Sequence, residues 1–126
     1  MAFQLEATKN ISVCMATRGR PELAFDSIKS MIDLAHNVDE IEFCVAIDND
    51  DTHSVDYFND TVVPWFEKKE YDLTVMSFDR LGYAKLNEYI SHLASNCSGS
   101  WIITWNDDAR MESQDWDKEI ASYTGQ

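Results

Sequence analysis

The sequence predicts an α/β fold, with an open, mostly parallel sheet and helices on both faces. Short apolar runs that contain β-branched residues alternate along the chain with segments of helical periodicity. Each apolar run ends in a polar turn. This alternation is typical of parallel strands joined by right-handed helical crossovers.

The predicted strands are residues 11–16, 41–47, 73–78 and 101–105. The predicted helices are residues 21–35, with Pro21 in the first turn, a short one over 54–59, one over 83–95, and one near 116–123 in the polar tail. Residues 61–66 remain unassigned, because Pro64 limits helix formation there. No repeat or interdomain linker is visible, so we expect residues 1–126 to form one domain.

The net charge restricts the possible partners. Ten basic residues against 23 acidic ones leave a formal charge of −13. Nucleic acids and anionic membranes are bound mainly through Lys and Arg, so we expect neither as a partner. An anionic small molecule would need a metal ion or a local basic pocket. Solubility alone is the competing explanation for the acidity.

The cysteines and the N-terminus indicate a cytoplasmic protein. Cys14, Cys44 and Cys97 are odd in number and lack the spacing of a metal motif, so we expect three reduced thiols. The first residues lack the pattern of a signal peptide, and no apolar run has the length of a membrane span.

Polar side chains follow every predicted strand. Because parallel strands end at one edge of their sheet, these side chains should meet in the crevice where such folds bind ligands. The set comprises Thr17, Arg18, Arg20, Asp48, Asn49, Asp50, Asp51, Asp79, Arg80, Asn106, Asp107 and Asp108.

The acidic turn Asn106-Asp107-Asp108 is the strongest candidate for a metal site. Mg²⁺ and Mn²⁺ prefer oxygen ligands and accept most of them from water and phosphates, so one or two carboxylates suffice. The alternative is that Asp107 or Asp108 only caps a following helix.

The other edge residues have a structural and a functional interpretation. Arg18 and Arg20 offer the charge that a diphosphate needs, or else belong to a solvated loop. Asp48 is placed to accept hydrogen bonds from a base or ribose, or else simply forms a turn.

The ordered motifs resemble GT-A fold glycosyltransferases, specifically the inverting family 2 type, whose nucleotide-sugar-binding fold is Rossmann-related. Residues 11–23 resemble the family's first strand and its Pro-Thr-x-x-Arg-Pro loop, with Ala16 in place of the proline. Residues 43–52 resemble the strand that ends in Asp-Asp, residues 82–90 the helix before the metal motif, and residues 101–109 the strand with the Asp-x-Asp-type (DxD) motif.

The resemblance implies a Mn²⁺- or Mg²⁺-dependent hexosyltransferase whose donor is a nucleoside-diphosphate sugar, most simply a UDP-sugar. It places Thr17, Arg18, Arg20, Asp48, Asn49, Arg80 and Asp107 near the nucleotide sugar. Asp108, with Asp107, would ligate the metal. The metal would stabilise the leaving diphosphate.

The sequence departs from the family in one respect that concerns catalysis. We expect the domain to lack the family's usual acceptor-binding half, because few residues follow Asp108 and none matches the general base that this half normally supplies. A homo-oligomer or a partner subunit would then supply the acceptor site. Two alternatives are a non-catalytic nucleotide-sugar-binding or assembly module and a phospho-acceptor receiver. A receiver needs acids after strand one, where this chain has Arg18 and Arg20.

Overall fold

The computed structural model describes residues 9–79 and 86–123. Four strands, β1 (Lys9–Thr17), β2 (Ile41–Asp48), β3 (Asp72–Phe78) and β4 (Gly99–Thr104), form one sheet in the order β3-β2-β1-β4. Every neighbouring pair is parallel, as the sequence predicted.

Within the described residues, five α-helices connect or follow the strands. They are α1 (Pro21–Leu34), α2 (Thr52–Tyr57), α3 (Val63–Lys69), α4 (Leu86–Ser95) and α5 (Trp116–Ala121). A 3₁₀ turn, Val38–Glu40, precedes β2, and a π-helical turn, Phe58–Val62, joins α2 to α3. None of the helices in the described segments combines the length and apolar composition that a membrane crossing requires.

Side chains alternate between the two faces of the sheet, and helices cover both. On one face, Val13 and Phe43 belong to the main core, which also contains Ile28 of α1 and Phe66 of α3. On the other face, Cys14, Cys44 and Ala46 pack with Tyr89 and Leu93 of α4. Full burial of a side chain such as Phe43 contributes about 1.5–3 kcal/mol.

The segment around Pro64 differs from the prediction, because it is helical throughout. Pro64 lies in the first turn of α3, where a missing N–H breaks no hydrogen bond within that helix. The preceding π-helical turn continues directly into α3, so the helical path is not interrupted. Pro64 therefore does not limit helix formation here, contrary to the prediction.

The polar tail is tied to the rest of the fold by two buried residues. Trp116 of α5 donates its indole N–H to the Met31 carbonyl at 2.8 Å. The buried Asp117 carboxylate accepts the backbone N–H groups of His36 at 2.6 Å and Asn37 at 2.9 Å. The tail therefore holds the segment that follows α1.

Candidate functional site: a cleft at the carboxyl edge of the sheet

The strand order creates a crevice at the carboxyl edge of β1 and β4. The chain proceeds outward from β1 to β2 and β3, then returns to place β4 on the other side of β1. Ligands of open α/β sheets bind at such a reversal of strand order. A cleft of about 660 Å³ lies there, lined by residues at the ends of β1, β2 and β4 and by α4.

Asp107 links the loop after β1 to the turn after β4, at the point where the strand order reverses. Its carboxylate is 5% exposed and accepts the Thr17 hydroxyl at 2.8 Å. Arg20 contacts both carboxylate oxygens, with Nε–Oδ2 at 2.9 Å and Nη2–Oδ1 at 2.7 Å. A two-point guanidinium–carboxylate pair fixes orientation as well as charge. Asp107 is thus held rigidly in the wall of the cleft.

The acidic turn itself is held by contacts with α1. The Ala109 N–H donates to the Asn106 carbonyl at 3.1 Å, which closes a four-residue turn. Ser27 of α1 donates its hydroxyl to the same carbonyl at 3.3 Å and accepts the Trp105 indole N–H at 2.8 Å. These bonds fix the turn before any ligand binds.

Asp108 differs from Asp107 in its surroundings, although both line the cleft. Its side chain is exposed, and in the described part of the chain it forms no hydrogen bond or ion pair. Two adjacent carboxylates thus have separate environments, one held by Thr17 and Arg20 and one facing the cleft.

The carboxylates fit a divalent metal that takes most of its ligands from elsewhere. Within residues 9–79 and 86–123, no three acids or histidines at this edge converge on one point. Asp108 is available as an oxygen ligand, and Asp107 retains lone pairs beside its two partners. Mg²⁺ and Mn²⁺ bind in this way when phosphates and water complete the shell.

Arg18 and Tyr89 hold Asp48 from two sides. Arg18 Nη1 lies 2.9 Å from Asp48 Oδ2 and 2.7 Å from Asp50 Oδ1, and the two carboxylates raise the pKa of Arg18 above its ordinary value. The Tyr89 hydroxyl of α4 donates to Asp48 Oδ1. Because Asp48 is buried, these contacts compensate its loss of hydration.

Asp51 organises the loop that carries the arginines. Its carboxylate accepts the Gly19 N–H at 2.7 Å and caps α2 through the Ser54 N–H at 3.3 Å. Burial alone would raise the pKa of Asp51, but hydrogen bonding from Ser54 and Gly19, with a smaller contribution from Arg18, lowers the pKa below its usual value. Gly19 adopts φ +73, a conformation that glycine reaches without strain.

The structure brings together six of the eight residues to which the resemblance assigns a role. Thr17, Arg18, Arg20, Asp48, Asp107 and Asp108 all line the cleft. Of the wider set at the strand ends, Asn106 also lines the cleft, whereas Asp50, Asp51 and Asp79 do not. Asn49 does not line it, because its side chain turns along the edge and donates to Asp79 Oδ1 at 2.8 Å. Arg80 lies outside the described residues.

Sequence reasoning missed the contribution of α4. Asn87, Tyr89 and Ser91 lie in the helix predicted over 83–95 and were assigned no role in the cleft, which all three line. Tyr89 lies four residues before the buried Leu93, and this spacing does not indicate a polar partner for the tyrosine hydroxyl. The Tyr89 contact depends on the packing of α4 over β2, which sequence periodicity does not specify.

Solved structures share this fold. A mannosyltransferase, PcManGT from Pyrobaculum calidifontis in complex with GDP-Man and Mn²⁺, matches with a TM-score of 0.61 and 21% identity over 87% of this chain. TarS from S. aureus, residues 1–349, matches with a TM-score of 0.67 and 16% identity over 90% of this chain. TarS in complex with UDP matches with a TM-score of 0.67 and 16% identity over 89%.

The comparisons establish the fold as an α/β fold of the GT-A glycosyltransferase type, as the sequence predicted. This chain spans 31% of the length of each of these three chains. No family model and no curated protein sequence matches the chain.

Proposed function

We propose that this chain is a metal-dependent glycosyltransferase, or the donor-binding part of one, and that its cleft binds a nucleoside-diphosphate sugar. The observation that carries the proposal is the acidic turn at the end of β4, which faces the arginine loop across the reversal point of the sheet. The solved structures of the same fold support it, since two of them contain GDP-Man with Mn²⁺ and UDP.

Asp108 is the proposed metal ligand, because its carboxylate is exposed to the cleft. Asp107 has a positioning role and the capacity to add a second ligand, since Thr17 and Arg20 fix its carboxylate. The metal would supply positive charge to the diphosphate, which an acidic protein otherwise repels. This accounts for an anionic ligand in a chain with a net charge of −13.

The nucleoside is proposed to lie on the β1–β2 side of the cleft. Asp48 is fixed by Arg18 and Tyr89 and keeps lone pairs for a ribose hydroxyl or a base N–H. Arg18 already pairs with both Asp48 and Asp50, so a phosphate would have to exchange with Asp50 to reach it. Because the Asp50 carboxylate is exposed, displacing it from Arg18 costs less free energy than breaking the bond between Arg18 and buried Asp48.

Calorimetry with GDP-mannose and UDP-sugars, with and without Mn²⁺, tests the proposal. We expect binding that requires the metal and is lost in Asp108→Asn. Glu112→Gln is the matched control, because it removes the same charge from an exposed residue near the turn that does not line the cleft. Absence of binding to every nucleotide sugar in the presence of Mn²⁺ would refute the proposal.

One observation favours donor binding without transfer as the second candidate. Of the carboxylates that line the cleft, Asp48 and Asp107 are both held by hydrogen bonds, and Asp108 is the proposed metal ligand. The described residues therefore leave no cleft carboxylate for a general base, and a further domain or subunit would supply it. Donor binding without sugar transfer or donor hydrolysis would favour this candidate for the chain alone.

A further inference from the structure

The three cysteines of the chain, which the sequence separates widely, lie together in the folded protein. Their sulfurs are all within 4.8 Å of one another. The Sγ–Sγ distance is 3.1 Å between Cys44 and Cys97 and 3.6 Å between Cys14 and Cys97. This cluster, called the thiol site below, lies outside the residues that line the cleft.

Secondary structure fixes each of the three sulfurs. Cys14 and Cys44 are directly paired residues of β1 and β2 and point to the same face of the sheet. Cys97 follows α4, and its thiol donates to the Leu93 carbonyl at 3.0 Å. A sheet register and a helix end therefore hold the site, so it is preorganised.

The thiol site is enclosed on most sides. Cys14 is 0% exposed and Cys44 is 2% exposed, whereas Cys97 is only half-buried. Tyr89 and Leu93 of α4 complete the apolar surroundings. Cys97 therefore lies on the side from which an ion would enter.

The separations of the sulfurs suit one metal ion. Bonds of about 2.3 Å from three sulfurs to a central ion in one plane would separate the sulfurs by about 4.0 Å. The two distances given above are shorter by less than an ångström, which small side-chain rotations correct. Cys14 and Cys44 on neighbouring strands, with Cys97 after α4, thus supply three sulfurs for one ion.

The number of ligands decides which ion is favoured. Thiolates select soft ions such as Cu(I) and Zn(II), and structural Zn(II) sites take four protein ligands. No fourth Cys, His, Asp or Glu of the described residues joins the cluster. The nearby Glu42 is committed elsewhere, since it accepts the Ser12 hydroxyl at 2.6 Å and the Ser98 N–H at 2.6 Å.

We propose that Cys14, Cys44 and Cys97 form a Cu(I)-binding site. Each thiol that coordinates the ion loses its proton to solvent, so one Cu(I) and three thiols give a trigonal thiolate complex and three protons. The ion keeps its oxidation state, and no oxidant or reductant is consumed. The site is independent of the nucleotide proposal, and its test requires no nucleotide.

Anaerobic titration of the full chain with Cu(I), in competition with a colorimetric Cu(I) chelator, tests the site. We expect the wild-type chain to withdraw about one ion per chain and Cys97→Ser to bind at least about 10- to 100-fold more weakly, as for loss of a ligand or its supporting group. Ser95→Ala, an exposed change at the same helix end, should bind as the wild type does. Equal affinity of Cys97→Ser and the wild type would overturn the proposal.

A second measurement uses the wild-type chain alone and so does not depend on the folding of a variant. Bound Cu(I) should protect the half-buried Cys97 from alkylation in the folded protein, whereas burial already shields Cys14 and Cys44. It should also raise the melting temperature by mass action. Alkylation of Cys97 at the same rate with and without saturating Cu(I), or tighter retention of Zn(II) than of Cu(I) in a parallel titration, would also overturn it.

Discussion

The Arg20 guanidinium contacts both oxygens of the Asp107 carboxylate, at the point where the strand order of the sheet reverses. Arg20 is half-exposed, whereas Asp107 is nearly buried. The pair joins the loop after β1 to the turn after β4, which adjoin in space although 87 residues separate them in sequence.

Loss of Arg20 should destabilise the fold. Among the described residues, Arg20→Ala leaves the Asp107 carboxylate with the Thr17 hydroxyl as its remaining partner, at a cost of about 1–2 kcal/mol after solvent screening of the exposed arginine. Urea unfolding measures the difference. Arg110→Ala, which removes an exposed arginine beyond the turn, is the control. An unchanged unfolding midpoint for Arg20→Ala would contradict the assigned role.

The two adjacent acids should respond differently to the same substitution. Asp107→Asn removes the charge that Arg20 and Thr17 contact and should lower the free energy of unfolding by about 1.5–3 kcal/mol. Asp108→Asn changes an exposed side chain and should stay within about 0.5 kcal/mol of the wild type. Chemical denaturation of both variants checks the contrast, which equal effects would contradict.

The Tyr89 hydroxyl should contribute to stability beyond the packing of its ring. Tyr89→Phe keeps the edge-to-face contact with Phe78 at 5.7 Å but removes the hydrogen bond to buried Asp48. We expect a loss of about 1–3 kcal/mol and weaker nucleotide binding. Tyr71→Phe makes the same chemical change outside the cleft and should have a smaller effect. Denaturation and calorimetry would report both, and a neutral Tyr89→Phe would argue against the bond.

Asp51 should make part of the stability dependent on pH. Its folded-state pKa is lowered, so the stabilisation is fully present above the unfolded value of about 3.9 and is lost as pH falls through the folded pKa. Relative to Asp51→Asn, the wild type should therefore have its full advantage near neutral pH. That advantage should shrink below about pH 4. Unfolding curves over this range measure it, and a constant difference would contradict the assignment.

Two glycines should tolerate alanine to different extents. A Cβ on Gly99 would lie 2.5 Å from the Ser12 backbone nitrogen, so Gly99→Ala must push β4 away from β1 and should cost about 1–3 kcal/mol or more. A Cβ on Gly19 meets nothing within 4 Å, so Gly19→Ala should cost only about 1–2 kcal/mol for its positive φ. Thermal unfolding ranks the two variants, and a reversed order would exclude the close approach of β4 to β1.

The sequence predicted the parallel sheet from the alternation of strands and helices, and the grouping of Thr17 with Asp107 from the common direction of parallel strands. It did not predict the pairing of Tyr89 with Asp48, which depends on where α4 crosses β2. The thiol site was missed for a related reason. Cys14 and Cys44 meet through strand register, and sequence spacing does not encode register between strands joined by a crossover.

Asn49 and Pro64 show two further limits of reasoning from sequence. Asn49 comes directly after Asp48, the last residue of β2, yet successive side chains at a strand end point in different directions, and Asn49 contacts Asp79 instead of the cleft. Pro64 disfavours a helix interior but suits a first turn, so its effect depended on a helix boundary that composition does not specify.

Within the described residues, Arg18 and Arg20 are the arginines that line the cleft, and their pairing with acids has a kinetic consequence. Arg18 and Arg20 are each neutralised by carboxylates, in a chain that carries a net charge of −13. A free anion approaching the cleft is therefore not accelerated by long-range attraction, and its encounter rate should rise when salt screens the repulsion. Most basic anion-binding pockets show the opposite dependence on ionic strength.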